Sequence, residues 1–342
     1  MAVTAAVLGS VGIVGWSFWQ GASWAQFAAM TVDWRWVGVA LLCVVLRDAG
    51  YVVRLSVLAR GELNARRATS SILLWELASA LTPSVVGGSA VASFILHRNG
   101  LTWGRSLATV MATALLDELY FLLAVPVVAF AVGWGAFLPG ATSWLEGSVA
   151  TIFAGGYLFM AVLATLLSTA LFWSPQWIHS GLIRAFSWRR LRRWRDAGLG
   201  FARDLRDASR DLQTLSFPAG MLAASATFVS WTARFMTLNA LIMAMLAPAF
   251  SSPMGMGHFD IWARQLSMWT VMMISPTPGS SGLAEFALPT FLMDVVPFAT
   301  TAALWTALVL AWRYLTYHLY VLVGGVLMPF WLAQTREKND PS

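Results

Sequence analysis

Apolar residues occur in six long runs, and each run is close to the length that a helix needs to cross a bilayer. A helix spans the hydrocarbon core with roughly 20 predominantly apolar residues. The pattern therefore predicts an all-α polytopic integral membrane protein with about six full crossings. The runs cover residues 3–19, 36–58, 106–131, 148–173, 216–247 and 299–332.

Two further apolar regions, residues 69–96 and 259–293, are interrupted by proline and glycine, and each half is too short to span alone. Proline ends a helix and glycine permits the chain to reverse. We expect each region to form a re-entrant helical hairpin, which enters the bilayer and returns on the same side. The predicted tips are Pro83, Gly87 and Gly88 in the first hairpin, and Pro276, Pro278, Gly279 and Gly282 in the second.

The basic residues predict the orientation of these segments. Arginines follow the second crossing and the first hairpin, fill residues 174–215, and recur near the end of the chain. Cytoplasmic loops carry an excess of Lys and Arg, so we expect all four segments, and both termini, to be cytoplasmic. All four basic segments can lie on the cytoplasmic side only if both broken regions are re-entrant or both span the membrane fully. Their short halves favour re-entrance.

This arrangement places a helix, a hairpin and a helix twice along one membrane domain, residues 1–342. The two halves are residues 36–131 and 216–332, on either side of the basic loop 174–215, and the second is inverted relative to the first. Inverted repeats with broken helices that meet near the bilayer midplane are a recurring transporter design.

Composition agrees with a membrane protein. Hydrophobic residues make up 58% of the chain and charged residues 11%, whereas soluble domains have about 25% charged residues. The net charge of +6 comes from arginines in loops, so we expect no nucleic-acid partner. The sequence has no metal-binding or nucleophile motif, and its single cysteine, Cys43, lies in an apolar run. We expect no cofactor, no metal and no catalytic residue.

The break in the second hairpin also suggests chemistry. A new helix starts near residues 281–282, and its free N–H groups would form a seat for an anion such as a lipid phosphate. Glu285 follows three residues after Gly282. Two interpretations of Glu285 are open: a carboxylate that caps the new helix, and a protonatable or headgroup-contacting group inside the membrane.

Charged residues within the predicted crossings require partners or a polar cavity, because each costs about 2.5–3.5 kcal/mol at the bilayer centre. Pairing that only holds helices together is the alternative to a cavity, and Arg54 could instead reach the cytoplasmic surface. Near the second hairpin, Asp260 and Arg264 are expected to form a local pair. The candidate substrate-binding residues are Arg47, Arg54, Glu76, Asp117, Glu118, Arg234, Glu285, Arg313 and Tyr314.

Several segments, among them "LRDAGYVVRLSVLARG", "SPTPGSSGLAEF" and "WRYLTYHLYVLVGGVL", resemble the transmembrane domain of the lysylphosphatidylglycerol synthase/flippase family. The closest likeness lies in the proline-glycine tip that precedes Glu285 and in the Arg313–Tyr314 pair. The first tip is a looser match, because it has Gly87-Gly88-Ser89 where relatives commonly have Gly-Glu followed by an arginine.

The resemblance implies a membrane domain that translocates a lipid. In two-part relatives a soluble domain makes the aminoacyl lipid and the membrane part flips it; we expect this chain to be the membrane part, without the aminoacyltransferase domain. The leading hypothesis is a flippase or lipid-linked precursor transporter of the bacterial inner membrane. Arg47, Arg234 and Arg313 would bind the phosphate, and the acidic residues would balance charge or bind a cationic headgroup.

The alternative hypothesis is a membrane subunit or scaffold for a separately encoded lipid-modifying synthase or glycosyltransferase. In that case the basic loop 174–215 would be the docking face. A phospholipid or lipid-linked substrate is the expected partner under the first hypothesis, and the separate synthase is the expected partner under the second.

Overall fold

The computed structural model is helical throughout the part of the chain that it describes. It describes residues 11–12, 14–15, 18–19, 21–82, 84–139, 145–173, 195–246, 257–273, 275, 277–296 and 301–337. The longer helices are α1 (Trp34–Leu58), α2 (Ala65–Leu81), α3 (Ser84–Arg98), α4 (Trp103–Val132), α5 (Leu145–Ser168), α6 (Arg195–Gln213), α7 (Phe217–Leu246), α8 (His258–Met272), α9 (Leu283–Leu292), α10 (Ala302–Arg313) and α11 (Leu319–Glu337).

Shorter segments complete the helical path. A π-helical segment extends α5, and another joins α10 to α11 into one continuous element. The short segments are the helices Trp24–Ala28 and Trp134–Phe137, the 3₁₀ turn Pro278–Ser280, and the π segments Thr169–Trp173 and Tyr314–His318.

Five helical segments in the described ranges are long and apolar enough to cross a membrane. They coincide with five of the six predicted crossings. The remaining predicted crossing, residues 3–19, lies largely outside the described residues. A multi-pass membrane protein is therefore confirmed. The five segments are Trp34–Leu58, Trp103–Val132, Val149–Trp173, Phe217–Leu246 and Ala302–Thr335.

Helices α1 and α7, the first helices of the two predicted halves, form the most extensive helix pair. Gly50 permits the close approach, since a Cβ atom there would lie 2.2 Å from the Ser230 Oγ and 2.8 Å from the Ala226 carbonyl oxygen. The Ser230 hydroxyl also donates a hydrogen bond to the Arg47 carbonyl oxygen at 2.9 Å. Small residues at such crossings are typical of helix packing in membranes.

Both broken regions fold back on themselves. Helices α2 and α3 pack together, with Thr82 extended at the reversal and Gly88 against Ser79. Helix α8 ends at Met272, and α9 begins after Gly282, as predicted. The hairpin shape follows from these contacts, and entry of the hairpins into the bilayer stays a prediction.

Helix α6 occupies the described part of the predicted basic loop. Its apolar side, which includes Leu205 and Leu212, is buried against α4, where a Cβ atom on Gly104 would lie 2.2 Å from the Leu205 amide nitrogen. The Arg105 side chain binds Glu62 at 2.9 Å and Asp211 at 2.7 Å. Because the apolar stripe is covered by the protein itself, α6 presents a face of mixed charge to its surroundings.

Candidate functional site: a charged cavity between the two hairpins

A cavity of about 290 Å³ lies where the two hairpin turns approach α1, α4, α7 and the junction of α10 with α11. Residues from the first hairpin, such as Thr82, and from the second, such as Ser275 and Gly279, share its lining. The turns of both hairpins therefore meet at one cavity. Its charged lining residues are Arg54, Glu76, Asp117, Glu118, Arg234 and Arg313.

Arg47 lies directly behind this lining, where its contacts and those of Asp48 connect α1 with α2 and α11. Its guanidinium lies 2.8 Å from the Glu76 carboxylate of α2 and 3.1 Å from the adjacent Asp48. The Tyr320 hydroxyl of α11 donates to Asp48 at 2.9 Å. With only 1% of its surface exposed, Arg47 is neutralised within the protein rather than free for a ligand.

Arg54 is also committed to a partner. Its Nη1 lies 2.5 Å from Asp117 Oδ1, and the Trp231 indole donates to the same oxygen at 2.7 Å. Only 4% of Arg54 is exposed, so it does not reach the membrane surface. The Tyr51 ring lies between Arg47 and Arg54, 5.4 Å from the guanidinium of the former and 4.9 Å from that of the latter.

Glu285 takes the first of the two roles considered from sequence alone, the cap of α9, and it also pairs with Arg313. Its Oε2 accepts a hydrogen bond from the Gly282 amide at 2.6 Å and so caps α9. Its other oxygen lies 2.8 Å from the Arg313 guanidinium. Arg313 donates further to the Gly279 carbonyl oxygen at 3.1 Å and the Ser281 hydroxyl at 3.0 Å. The arginine therefore fixes the whole second turn onto the last helix.

Tyr317 connects the two hairpins. Its hydroxyl donates to the Ala80 carbonyl oxygen, at the end of α2, at 3.0 Å. Its ring packs on Gly279, where an added Cβ atom would lie 2.1 Å from a ring carbon and where φ is +55°. The Arg313 guanidinium lies 4.3 Å from the centre of the same ring. One side chain of the π segment thus touches both turns.

Arg234 and Glu118 differ from the other cavity charges. The Arg234 guanidinium lies over the indole rings of Trp269, at 4.6 Å, and Trp231, at 5.3 Å. Among the described residues, neither Arg234 nor Glu118 has an oppositely charged side chain within 4.0 Å. Glu118 is 4% exposed, and its buried Oε2 has no hydrogen-bond partner in the described part of the chain.

The predicted site residues are thus brought to one region, with differences in detail. Arg47 and Glu285 stand behind the cavity as ion-pair partners of lining residues. Tyr314 is 53% exposed and does not belong to the lining, whereas Tyr317 does. The expected pairing of Arg264 with Asp260 is wrong, because Arg264 binds Asp294, beyond the end of α9.

The predicted hairpin tips also take distinct positions. Gly279 lies in the cavity wall, Pro278 starts the 3₁₀ turn and Gly282 precedes α9. Gly87 and Gly88 fall within α3 rather than in the turn itself. Pro83 and Pro276 lie outside the described residues.

The sequence reasoning missed the aromatic part of the site. Several aromatic side chains line the cavity beside its arginines, and a usable signal existed. Tyr51 follows Arg47 by four positions, Tyr317 follows Arg313 by four, and Trp231 precedes Arg234 by three, which places each pair on one helix face. The aromatic lining residues are Tyr51, Trp75, Phe121, Trp231, Trp269, Trp312, Tyr317 and Tyr320.

The arrangement suits electrostatic binding of a charged group. In the described ranges, no three His, Cys, Asp or Glu side chains are grouped in a way that could hold a metal ion. The cavity combines ion pairs, aromatic faces and Arg234, which has no carboxylate partner among the described residues. Such a site can hold an anion in a preorganised position.

Comparison with known proteins places the chain in a family. The family described as "Lysylphosphatidylglycerol synthase TM region" matches residues 3–324. The chain is also similar to a "UPF0104 membrane protein" of Archaeoglobus fulgidus, with 24% identity over 259 residues, which are 75% of this chain and 74% of the relative. No solved structure matches the chain. Since the match covers nearly the whole length, the chain belongs to the lysylphosphatidylglycerol synthase transmembrane-region family.

Proposed function

We propose that this protein moves a phosphate-bearing lipid headgroup, of a phospholipid or a lipid-linked precursor, across the membrane through the charged cavity. The observation that carries the proposal is Arg234, a cavity arginine without a carboxylate partner among the described residues. Family membership supports a lipid as the substrate, because the name of the family refers to an aminoacylated phospholipid.

The other arginines of the site are better suited to holding the framework. Arg47, Arg54 and Arg313 each bind a carboxylate at 2.5–2.8 Å. Removing a partner from a buried ion pair is strongly unfavourable, so a ligand phosphate would compete with these carboxylates. Arg234 has no such competitor in the described part of the chain. Its guanidinium has the planar donor geometry that matches phosphate oxygens.

The tryptophans around Arg234 strengthen this assignment. Trp231 and Trp269 meet edge to face, with ring centres 5.2 Å apart, and both lie against the guanidinium. A cation over an aromatic face gains about 0.5–1 kcal/mol, and 2 or more when desolvated. The rings hold the cation in place and leave its N–H groups free to donate to a ligand.

Glu118 supports a headgroup that carries a cationic or hydroxyl group as well as a phosphate. It is a buried acid in the same lining, with no cation within 4.0 Å among the described residues. Together with Arg234 it provides one site for a phosphate and one for a cationic or hydroxyl group. The volume of about 290 Å³ is at the lower end for ligand pockets. It suits a headgroup, while the acyl chains stay in the bilayer.

Transport further requires that the cavity open to each leaflet in turn. We propose that the two hairpins enter the bilayer from opposite sides, as the distribution of arginines suggests, and that they gate the cavity alternately. The contacts of Tyr317 with Ala80 and Gly279 would then change between the two states, because they join the two hairpin turns directly.

Reconstitution in liposomes tests the proposal. The purified chain is placed in vesicles that contain phosphatidylglycerol with a fluorescent headgroup-proximal label, and the loss of label to an impermeant quencher reports movement between leaflets. We expect rapid loss of the inner-leaflet signal for the native protein and at least a tenfold slower loss for Arg234→Gln. Arg35→Gln is the matched control, since Arg35 is exposed at the start of α1.

Two results would overturn the assignment. If Arg234→Gln moves lipid as fast as Arg35→Gln, Arg234 does not bind the phosphate. If the native protein moves neither phosphatidylglycerol nor an isoprenoid-linked phosphate, the transport function fails. Co-purification with a lipid-modifying enzyme would then favour the alternative role as a membrane subunit, for which the exposed charged face of α6 is the candidate contact surface.

A further inference from the structure

A second recess lies at the opposite end of the first hairpin from the cavity. It is bounded by the start of α2, the end of α3 and the last turns of α11, and it encloses about 740 Å³. Arg67 on its lining and Ser79 at the cavity are twelve positions apart on α2, or about 18 Å along the helix. The recess is therefore separate from the proposed transport cavity. The lining residues that matter here are Arg66, Arg67, Arg98, Leu327, Phe330 and Trp331.

The recess is positively charged, and no carboxylate in its described lining balances this charge. Its lining includes three arginines and no acidic residue, and within the described chain no carboxylate lies within 4.0 Å of any of the three. Arg98 donates to the Thr335 hydroxyl at 3.0 Å and Arg67 to the Asn99 carbonyl oxygen at 3.5 Å. Both acceptors are neutral, so these hydrogen bonds leave the positive charge of the two arginines without a balancing negative charge.

The floor of the recess is held by a buried hydrogen-bond network that links all three helices. The Asn99 side chain donates to the Ser71 hydroxyl of α2 at 2.7 Å and accepts from the Trp331 indole of α11 at 2.8 Å. Asn99 itself follows the end of α3 and is buried. The position of the arginines relative to α11 is thus fixed before any ligand binds.

The remaining wall is apolar, with Trp331 buried on its inner side and Phe330 exposed on its outer side. Leu327, Phe330 and Trp331 line the recess from α11, and the Phe330 side chain is 65% exposed. α11 belongs to a segment long and apolar enough to cross the membrane, so this wall continues onto the surface that contacts lipid chains. Three unpaired cations beside such a wall fit a molecule with an anionic head and an apolar body.

We propose that the recess binds the headgroup of an anionic phospholipid, with its acyl chains against the Phe330 side of α11. Basic pockets between membrane helices on the cytoplasmic side bind anionic headgroups, and the arginine distribution assigns this end of the hairpin to that side. The bound lipid would tie the base of the first hairpin to α11. This inference does not depend on the proposed transport function.

Lipid titration monitored by native mass spectrometry tests the site. The full chain carries Arg234→Gln, which removes the anion contact of the central cavity, and is titrated with phosphatidylglycerol or phosphatidylcholine. We expect at least tenfold tighter binding of phosphatidylglycerol. Removing one arginine weakens attraction to an anionic surface about fivefold. The side chain of Arg66 is exposed, and we expect Arg66→Gln to reduce the preference for phosphatidylglycerol. Adding Arg67→Gln and Arg98→Gln is expected to abolish that preference.

The matched control removes three arginines from α6, Arg203→Gln, Arg206→Gln and Arg210→Gln, and is expected to keep the preference. Equal affinity of the protein for the two lipids would overturn the proposal. An equal loss of the phosphatidylglycerol preference in the α6 control variant would also overturn it. Inorganic phosphate at millimolar concentration serves as a competitor that lacks acyl chains. We expect it to leave the lipid bound; complete displacement would show a site for a soluble phosphate group and overturn the lipid assignment.

Discussion

The guanidinium of Arg313 lies 2.8 Å from the carboxylate of Glu285, and both side chains are buried. This contact connects the end of α10 to the first turn of α9, and the same carboxylate caps α9 through the Gly282 amide. Two buried charges therefore neutralise each other at the point where the helix is broken.

Substitution of Glu285 by Gln is expected to destabilise the protein strongly. The change leaves Arg313 as a buried cation without its counter-charge, which typically costs 3–5 kcal/mol. The measurement is the apparent Tm of the purified protein in detergent, followed by the fluorescence of a thiol-reactive dye that reports exposure of Cys43, which is buried in the native state.

A double substitution separates charge from packing at this pair. Arg313→Met with Glu285→Gln removes the cation together with the anion, so the double variant is expected to be more stable than Glu285→Gln alone. If the losses of the two single variants simply add, the ion pair contributes no coupling energy and this account of the turn is wrong.

Two adjacent glycines of α5 are expected to respond oppositely to alanine. A Cβ atom on Gly156 would lie 2.4 Å from the Thr270 carbonyl oxygen of α8, whereas Gly155 has no heavy atom within 4 Å of that position. Gly156→Ala therefore forces α5 away from α8 and should lower stability by about 1–3 kcal/mol. Gly155→Ala should be neutral or raise it by up to about 1 kcal/mol, because alanine favours the helix.

Thermal denaturation of the two single variants under identical detergent conditions checks this difference. The comparison is internally controlled, because the substitutions are chemically identical and one position apart. Equal Tm values for both variants would contradict the close packing of α5 against α8.

The first hairpin should accept a disulfide across its two helices. The Cβ position of Gly88 lies 3.4 Å from the Ser79 Cβ atom, close to the separation of about 3.5–4.5 Å in disulfides. In a Cys43→Ala background, Ser79→Cys with Gly88→Cys is expected to oxidise spontaneously and to resist alkylation by maleimide until reduced.

The control pairs Ser79→Cys with Ile95→Cys. Ile95 lies seven residues beyond Gly88 on α3, about 10.5 Å along the helix axis, which is too far for a bridge to position 79. Both cysteines should then stay free. Equal reactivity of the two pairs would show that α2 and α3 do not fold back on each other as described.

Much of the helical framework was predictable because its signals are local. Runs of about 20 apolar residues identified five of the long helices. The glycines and prolines between Met272 and Leu283 located the second break, and the spacing from Gly282 to Glu285 gave the cap as one of two interpretations. Each of these features depends on residues that are near one another in sequence.

The partners within the site were less predictable, because they come from distant parts of the chain. The charges of α1, α2, α4, α7 and α10 were identified as a group, but the sequence did not show that Arg54 binds Asp117 or that Arg47 binds Glu76. The absence of a carboxylate partner for Arg234 in the described ranges emerges only after every other pairing is known. The local prediction for Arg264 failed for the same reason, since its partner lies thirty positions away.

The contact between Gly279 and Tyr317 has a consequence for the evolution of the family. A side chain at position 279 would occupy the space of the ring at position 317, and the positive φ angle at 279 already disfavours most residues. We therefore expect the two positions to be under joint selection. Among relatives that retain this turn, a bulkier residue at the first position should covary with a smaller one at the second.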